Sequence, residues 1–258
     1  VNNFVIIERT IDPLLLKLNL KGFLNGHTPF SSMIAFLSVF SGVIYGHKDT
    51  VLSNERSSDE ENTIYLGKKI NHQYSKTLEF ENMFREYNQK YLSNVNYFSF
   101  LRPLYEIQIS KIFSKMNIYF SPIRSCNVGQ SKNIWCCNCS KCLSTYILLY
   151  PFVGAKKMKQ IFPEDLFTNS GLYETLELLV LGGRVKPFEC VGTRQELRLA
   201  LAMSIKQIGN NLPPLLQKIK PLVGDIDKVI EDNKSILISF GKNNLDKNET
   251  FVQNWIDE

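Results

Sequence analysis

Five of the chain's six cysteines fall between Cys126 and Cys142, in the run C-N-V-G-Q-S-K-N-I-W-C-C-N-C-S-K-C. Cys136, Cys139 and Cys142 form C-x-x-C-x-x-C, and Cys126 stands upstream of a polar loop that contains a glycine. Thiolates at this spacing, with one cysteine returning from a loop, meet the tetrahedral demand of zinc. Cys126, Cys136, Cys139 and Cys142 are therefore the expected ligands. Cys137 is left out, because adjacent residues cannot easily both aim at one metal. A disulfide knot and a chance group of buried thiols are the competing readings. Four cysteines would close the coordination sphere, so the zinc is expected to be structural and the chemistry to lie elsewhere.

Candidates for that chemistry are scattered along the chain. His72, among polar residues just before a helix, is the best base by residue type, against a capping or solvated histidine. Glu55 and Glu79 read either as a base or magnesium ligand, or as surface charge. Cys190 lies beside Glu189 and the helix start at Gly192-Thr193; it is either a thiol activated by a helix N-terminus or a packed one. Arg56, Arg102, Arg124 and Arg194 are candidate clamps, since guanidinium grips carboxylate and phosphate through a bidentate fork. Structural ion pairs are the alternative for each. Thr193 and Glu196 spell a capping box, and with Gly192 ahead of it that helix start can bind an anion.

These residues need elements to hold them. The 258 residues are 44% hydrophobic and 21% charged, enough for a sizeable core. The net charge of +5 suits anionic ligands such as nucleotides, and no dense Lys/Arg block points to nucleic acid. Ser31 to Gly46 is the most apolar stretch but is too short and polar-spotted to span a membrane. The chain opens V-N-N-F, not as a secretory signal, and a cytoplasmic location is expected. Phe4 to Glu8 reads as a buried strand, and Asp12-Pro13 as the cap of a helix to about Leu20. A helix from Ser31 and a strand over 50–54 follow. Ile118 to Phe120 could be a last strand. Strand and helix in alternation predict a parallel sheet with helices on its faces, and ligands sit beyond the carboxyl ends of such strands. Asn54, Glu55, Arg56 and Ser57 occupy that position, with His27, in the polar turn 24–30, a weaker candidate. Helical patterns dominate afterwards: 141–150, 172–181, 194–208 and 212–231. The expected division is an α/β core over 1–125, a zinc loop and helical region over 126–232, and a polar tail over 233–258.

Several of these stretches carry a resemblance. N-G-H-T-P-F (25–30), L-S-N-E-R-S (52–57), N-H-Q-Y-S-K-T-L-E-F-E (71–81), Y-F-S-F-L-R-P-L-Y-E-I-Q-I (97–109), R-S-C-N (124–127), W-C-C-N-C-S-K-C (135–142) and F-E-C-V-G-T-R-Q-E (188–196) are similar to the bacterial UDP-N-acetylmuramoyl-L-alanyl-L-glutamate epimerase family. That family belongs to the adenine-nucleotide α-hydrolase-like group, and its cysteine loop is similar to the zinc loop of 7-cyano-7-deazaguanine synthase. The resemblance implies a Rossmann-like parallel sheet and ATP- and magnesium-dependent inversion of the terminal L-Glu of UDP-MurNAc-L-Ala-L-Glu. It adds Ser75, in the motif at 71–81, to the binding residues. Relatives in the group carry a glycine-rich S/G-G-G-x-D-S phosphate loop near the N-terminus, and no such loop occurs here. An upstream segment or a separate chain is expected to supply it. A deazaguanine-synthase-type enzyme and a zinc-stabilised binding module without ATP are the alternative functions.

Overall fold

The computed structural model describes residues 4–23, 29–92 and 95–239. His27 and the tail beyond Ser239 lie outside them. The described fold is mixed α/β and mostly helical, and the chain divides into two compact units: Val1–Val51 with Gln73–Phe98, and Leu52–His72 with Ser99–Glu258.

In the first unit, Asp12 accepts a hydrogen bond from the Leu14 N–H and opens α1 (Pro13–Leu20). Helix α2 (Phe30–Tyr45) ends on Gly46, whose φ of 70° is the left-handed conformation a glycine C-cap supplies. Ala35, Val39 and Gly42 of α2 are buried, and a Cβ at Gly42 would lie 3.1 Å from Val95. Helix α3 (Leu78–Tyr87) is capped by Thr77, and its Phe84 meets Phe36 and Tyr97 edge-on at 4.8 and 4.6 Å. These side chains form the unit's small core.

Strands β1 (Asp49–Leu52) and β4 (Asn96–Ser99) pair with each other. The Asn96 N–H donates to Lys48 O and the Phe100 N–H to Leu52 O, so both strands advance in the same direction and the pair is parallel. Strands β2 (Thr63–Tyr65) and β3 (Lys68–Ile70) form an antiparallel hairpin turned by Leu66 and Gly67, both at positive φ. Expectation and structure part here. Phe4 to Glu8 is not a strand, and its Phe4 and Ile6 side chains are exposed. Asn117–Tyr119 is a 3-10 turn where a strand was expected, with Ile118 exposed. A short β-branched run becomes a strand only if a partner takes up its backbone, and these two runs have none among the described strands.

The second unit carries the main core. Helices α4 (Glu106–Phe113), α5 (Ser140–Met158), α6 (Tyr173–Val180) and α7 (Arg194–Ile208) pack together, with α7 buried on most of its circumference through Leu197, Leu199, Ala200, Leu201, Ala202, Ser204 and Ile205. Helix α5 breaks at Gly154, where φ is 76° and ψ 155°. The run expected as one helix over 212–231 is two, α8 (Pro214–Val223) and α9 (Ile226–Asn233). Gly224 at φ 89° stops the first, and Asp225 caps the second by accepting from the Lys228 N–H. Beyond α9, Lys234–Leu237 winds into a 3-10 turn that buries Ile236, within the stretch expected as the polar tail.

Candidate functional site

The cysteine loop closes on itself. The Sγ atoms of Cys126, Cys136, Cys139 and Cys142 all lie within 4.8 Å of one another. Three of the separations are 3.5 Å (Cys139 to Cys142), 3.7 Å (Cys136 to Cys142) and 4.0 Å (Cys126 to Cys139). Four thiolates around one zinc at about 2.3 Å would stand about 3.8 Å apart, so the spacing fits a tetrahedral metal. It is far too long for a disulfide, and all six cysteines are free. Backbone N–H groups are aimed at the sulfurs: Gly129 at Cys126 (3.0 Å) and Cys142 at Cys139 (3.4 Å). The hydrogen-bonding contact between the Cys139 and Cys142 side chains lowers Cys139 to about 4 and raises Cys142 in turn. A thiolate is thus favoured inside the cluster. Cys137 sits at φ 54°, buried and outside the group of four clustered sulfurs, and burial followed by the charge of Glu164 pushes its thiol up to about 11. These four cysteines could hold a metal such as zinc.

A turn of chain pins this loop to a second group. Glu189 accepts from the Lys141 N–H at 3.0 Å and from Asn127 Nδ2 at 3.2 Å, both residues belonging to the cysteine loop. The next residue, half-buried Cys190, places its Sγ 4.0 Å from Nε2 of His72. On its other side His72 is held by Asn62: the His72 backbone N–H and ring Nδ1 both approach Asn62 Oδ1, at 3.0 and 2.8 Å. Phe188 flanks the imidazole edge-on at 6.0 Å. Lys141 adds a cation. Its burial, which alone would favour the neutral amine, is outweighed by Glu106 at 3.3 Å and by the charges of Cys190 and Glu55, so its pKa is raised.

The loop after β1 is built around Arg102, whose side chain is 1% exposed. Its guanidinium donates to Glu55 O at 2.9 Å and Ser58 Oγ at 3.2 Å, and it lies 3.6 Å from Asp59. Arg102 therefore positions the Glu55–Asp59 turn. Arg56 stacks its guanidinium over Tyr105 at 4.5 Å, Asn54 donates to Ser99, and Ser57 Oγ accepts from the Glu106 N–H that opens α4. Arg124 is exposed and ties Ser121, Ile123 and Asn133 carbonyls at the wall of a cavity of about 250 Å³ beside Cys126 and Asn127. Ser75, half-buried, and Glu79, exposed in the first turn of α3, belong to the first unit.

The helix start at Gly192-Thr193-Arg194 is occupied by the protein itself. The Gly192 N–H donates to Ser144 Oγ, the Thr193 N–H to Glu196, and the Arg194 N–H to Glu60. Gly192 packs closely against α5, where a Cβ would lie 3.0 Å from a Leu148 methyl. The Arg194 side chain donates to Leu181 O and Arg184 O, and both arginines, with Glu60, Glu61 and Asn62, line an open cleft of about 390 Å³. Glu196 is wholly buried: it accepts from Ile107 N–H and from Thr193, which joins the starts of α4 and α7. Burial is the main reason its pKa rises from 4.5 to about 7.

Sequence reasoning passed over Asn62, Lys141 and Lys186. Lys186 is 2% exposed, pairs with Glu60 and donates to Val191 O. Lys141 had a visible signal, a lysine inside the C-S-K-C turn. Asn62 had none, since it sits in a run of polar loop residues.

These features define a mixed α/β protein, mostly helical, with a four-thiol loop that could hold a metal, tied to a half-buried thiol–imidazole pair. The MurL N-terminal domain family matches residues 1–100 and the MurL C-terminal domain family residues 120–234; the chain belongs to the MurL family. It is 35% identical over 218 residues to a Salinispora tropica protein named UDP-N-acetyl-alpha-D-muramoyl-L-alanyl-L-glutamate epimerase, covering 82% of this chain and 48% of that one. Proteins of the same name from a Micromonospora strain and from Xanthomonas oryzae pv. oryzae are 34% and 33% identical, covering 78% and 76% of this chain and 46% and 45% of theirs. The chain spans about half the length of the curated relatives it matches. No solved structure matches it. No described helix is long and apolar enough to cross a membrane.

Proposed function

We propose that the chain serves the ATP-dependent epimerisation of the terminal L-Glu of UDP-MurNAc-L-Ala-L-Glu to D-Glu, in cytoplasmic peptidoglycan precursor synthesis. The observation that carries this reading is the Cys190–His72 pair at 4.0 Å, built from the two segments, 71–81 and 188–196, in which the resemblance is strong. A glutamate α-proton beside an ionised carboxylate is very weakly acidic. If that carboxylate attacks the α-phosphorus of ATP and pyrophosphate leaves, the acyl-adenylate carries no carboxylate charge and its α-proton becomes far easier to remove. The thiol–imidazole pair then takes the proton and a donor returns one on the opposite face. Water releases AMP and the D-Glu carboxylate.

In this reading Lys141 and the exposed faces of Arg56 and Arg124 supply positive charge for carboxylate and phosphate, while Arg102 and Arg194 act by holding loops. Glu55 and Glu79 are the magnesium candidates, and Ser75 and His27 the further binding candidates. Zinc is the metal proposed for the cysteine cluster, in a structural role. The parallel β1–β4 pair is proposed to belong to a Rossmann-like nucleotide sheet. The 258 residues hold no glycine-rich S/G-G-G-x-D-S segment, so the triphosphate is proposed to be cradled by a segment or chain supplied with this one.

The test is pyrophosphate release and L-to-D conversion with UDP-MurNAc-L-Ala-L-Glu, with and without an added segment carrying that loop. Turnover is expected only with the segment present, and Cys190→Ala or His72→Ala should then lower conversion by at least a hundredfold. Unchanged conversion in both variants would overturn the assignment of the pair.

A further inference from the structure

Asn62 is tied into both halves of the thiol–imidazole pair. Its Nδ2 donates to Pro187 O at 2.8 Å, its carbonyl accepts from the Lys186 N–H at 3.0 Å, and its own N–H donates to Ile70 O at 2.8 Å. One residue thus fastens the segment that leads to Cys190 and the hairpin that leads to His72. Burial reinforces the fastening: Asn62 is 3% exposed, and neighbouring Lys186 and Glu60 pair beside it.

The hydrogen-bond partners also fix which way the Asn62 amide faces. A carbonyl can only accept, so the group toward Pro187 O must be the NH₂. A backbone N–H can only donate, so the group toward the His72 N–H must be the oxygen. Ring Nδ1 of His72 lies 2.8 Å from that same oxygen and must therefore carry a proton. In the neutral ring the other nitrogen, Nε2, is then bare, and Nε2 is the atom 4.0 Å from Cys190 Sγ.

We propose that Asn62 is a positioning residue that locks His72 in the Nδ1–H tautomer, so that Nε2 is the atom that takes the proton from the Cys190 thiol. On transfer the S–H bond breaks, an Nε2–H bond forms, and thiolate and imidazolium face each other. Asn62 Oδ1 keeps its hydrogen bond to Nδ1–H throughout, so the change needs no movement of the amide. A substituent that cannot accept from Nδ1 leaves the ring free to hold its proton on Nε2, where it cannot serve the thiol. The consequence for catalysis rests on the epimerase reading; the tautomer and the thiol's reactivity do not.

The experiment therefore reads neither ATP nor substrate. Nitrogen-15 spectra of the metal-loaded 258-residue chain, which has only three histidines, should show His72 with a bare Nε2 in its neutral form. In parallel, the rate at which iodoacetamide labels Cys190 at a fixed neutral pH is followed by mass spectrometry in Asn62→Asp and Asn62→Leu, alongside melting temperature. Asp keeps an acceptor for Nδ1–H but loses the donor to Pro187; it should melt lower yet label within twofold of the parent. Leu keeps neither and should label at least fivefold more slowly, as slowly as His72→Ala. A protonated Nε2 in the parent chain would overturn the proposal, and the spectrum needs no variant to fold. Labelling that simply follows melting temperature, or is unchanged in Asn62→Leu, would also overturn it.

Discussion

Glu196 shows how one buried residue can tie together helices and pH. Its two oxygens hold the first N–H of α7's capping box and an N–H at the start of α4, and no water reaches it. Its pKa is raised from 4.5 to about 7, so between those values the folded chain holds a proton that the unfolded chain has released. Stability contributed by the protonated form is then complete below about 4.5 and lost as the pH rises through about 7, a difference of about 3 kcal/mol at most. Melting curves between pH 5 and 8 should fall with pH for the parent and flatten for Glu196→Gln. An unchanged slope in the variant would show that another group carries the dependence. The capping box itself was legible as T-x-x-E. Its burial was not, because the residues that cover Glu196 come from α4, far away in the sequence.

Among elements, the cysteine loop is the most sharply specified. Gly129 donates its N–H to Cys126 Sγ, and a Cβ in its place would lie 2.3 Å from the Ile134 carbonyl oxygen, which is backbone and cannot rotate away. Gly129→Ala should therefore open the turn and cost metal. Metal analysis should find about one zinc per chain in the parent and in Cys137→Ser, since Cys137 is not among the four clustered cysteines, but much less in Gly129→Ala. Full metal content in Gly129→Ala would mean that the loop can close without the turn. The spacing C-x-x-C-x-x-C was readable because the ligands are near neighbours in sequence, where local geometry alone brings side chains together. The helix starts at Pro13, Thr193 and Asp225 follow the same logic of local capping chemistry. Gly224, whose positive φ divides the 212–231 run, was the signal for the break that periodicity alone concealed.

Across the whole molecule, apolar side chains are distributed unequally. Leu201 of α7 is fully buried, whereas Leu16 of α1 is 53% exposed and α1 buries none of its residues. Leu201→Ala should destabilise the chain by about 2–5 kcal/mol through lost contacts and a cavity, while Leu16→Ala should shift the melting temperature little. Equal shifts would mean that α1 is covered in solution. Both helices read as leucine-bearing in the sequence, and nothing in their composition ranks them.

The division between sequence and tertiary structure follows the range of the interactions. The amino-acid sequence by itself determined the four clustered thiols of the cysteine loop, the caps of α1 and α7, and the family resemblance, all of which rest on short spacings. It named His72 and Cys190 separately, as a base and a thiol. Only the tertiary structure brought their Nε2 and Sγ atoms to 4.0 Å, because Cys190 stands 118 positions from His72, and it set Asn62, ten positions before His72, behind the ring. The same holds for the strands: β-branched runs announce themselves, but whether Phe4 to Glu8 or Asp49–Leu52 pairs depends on which backbone arrives beside it. The sequence left Arg102 as either a clamp or a structural ion pair, and only the fold showed it buried with its guanidinium on the Glu55–Asp59 turn, since burial belongs to the packed chain and not to the residue.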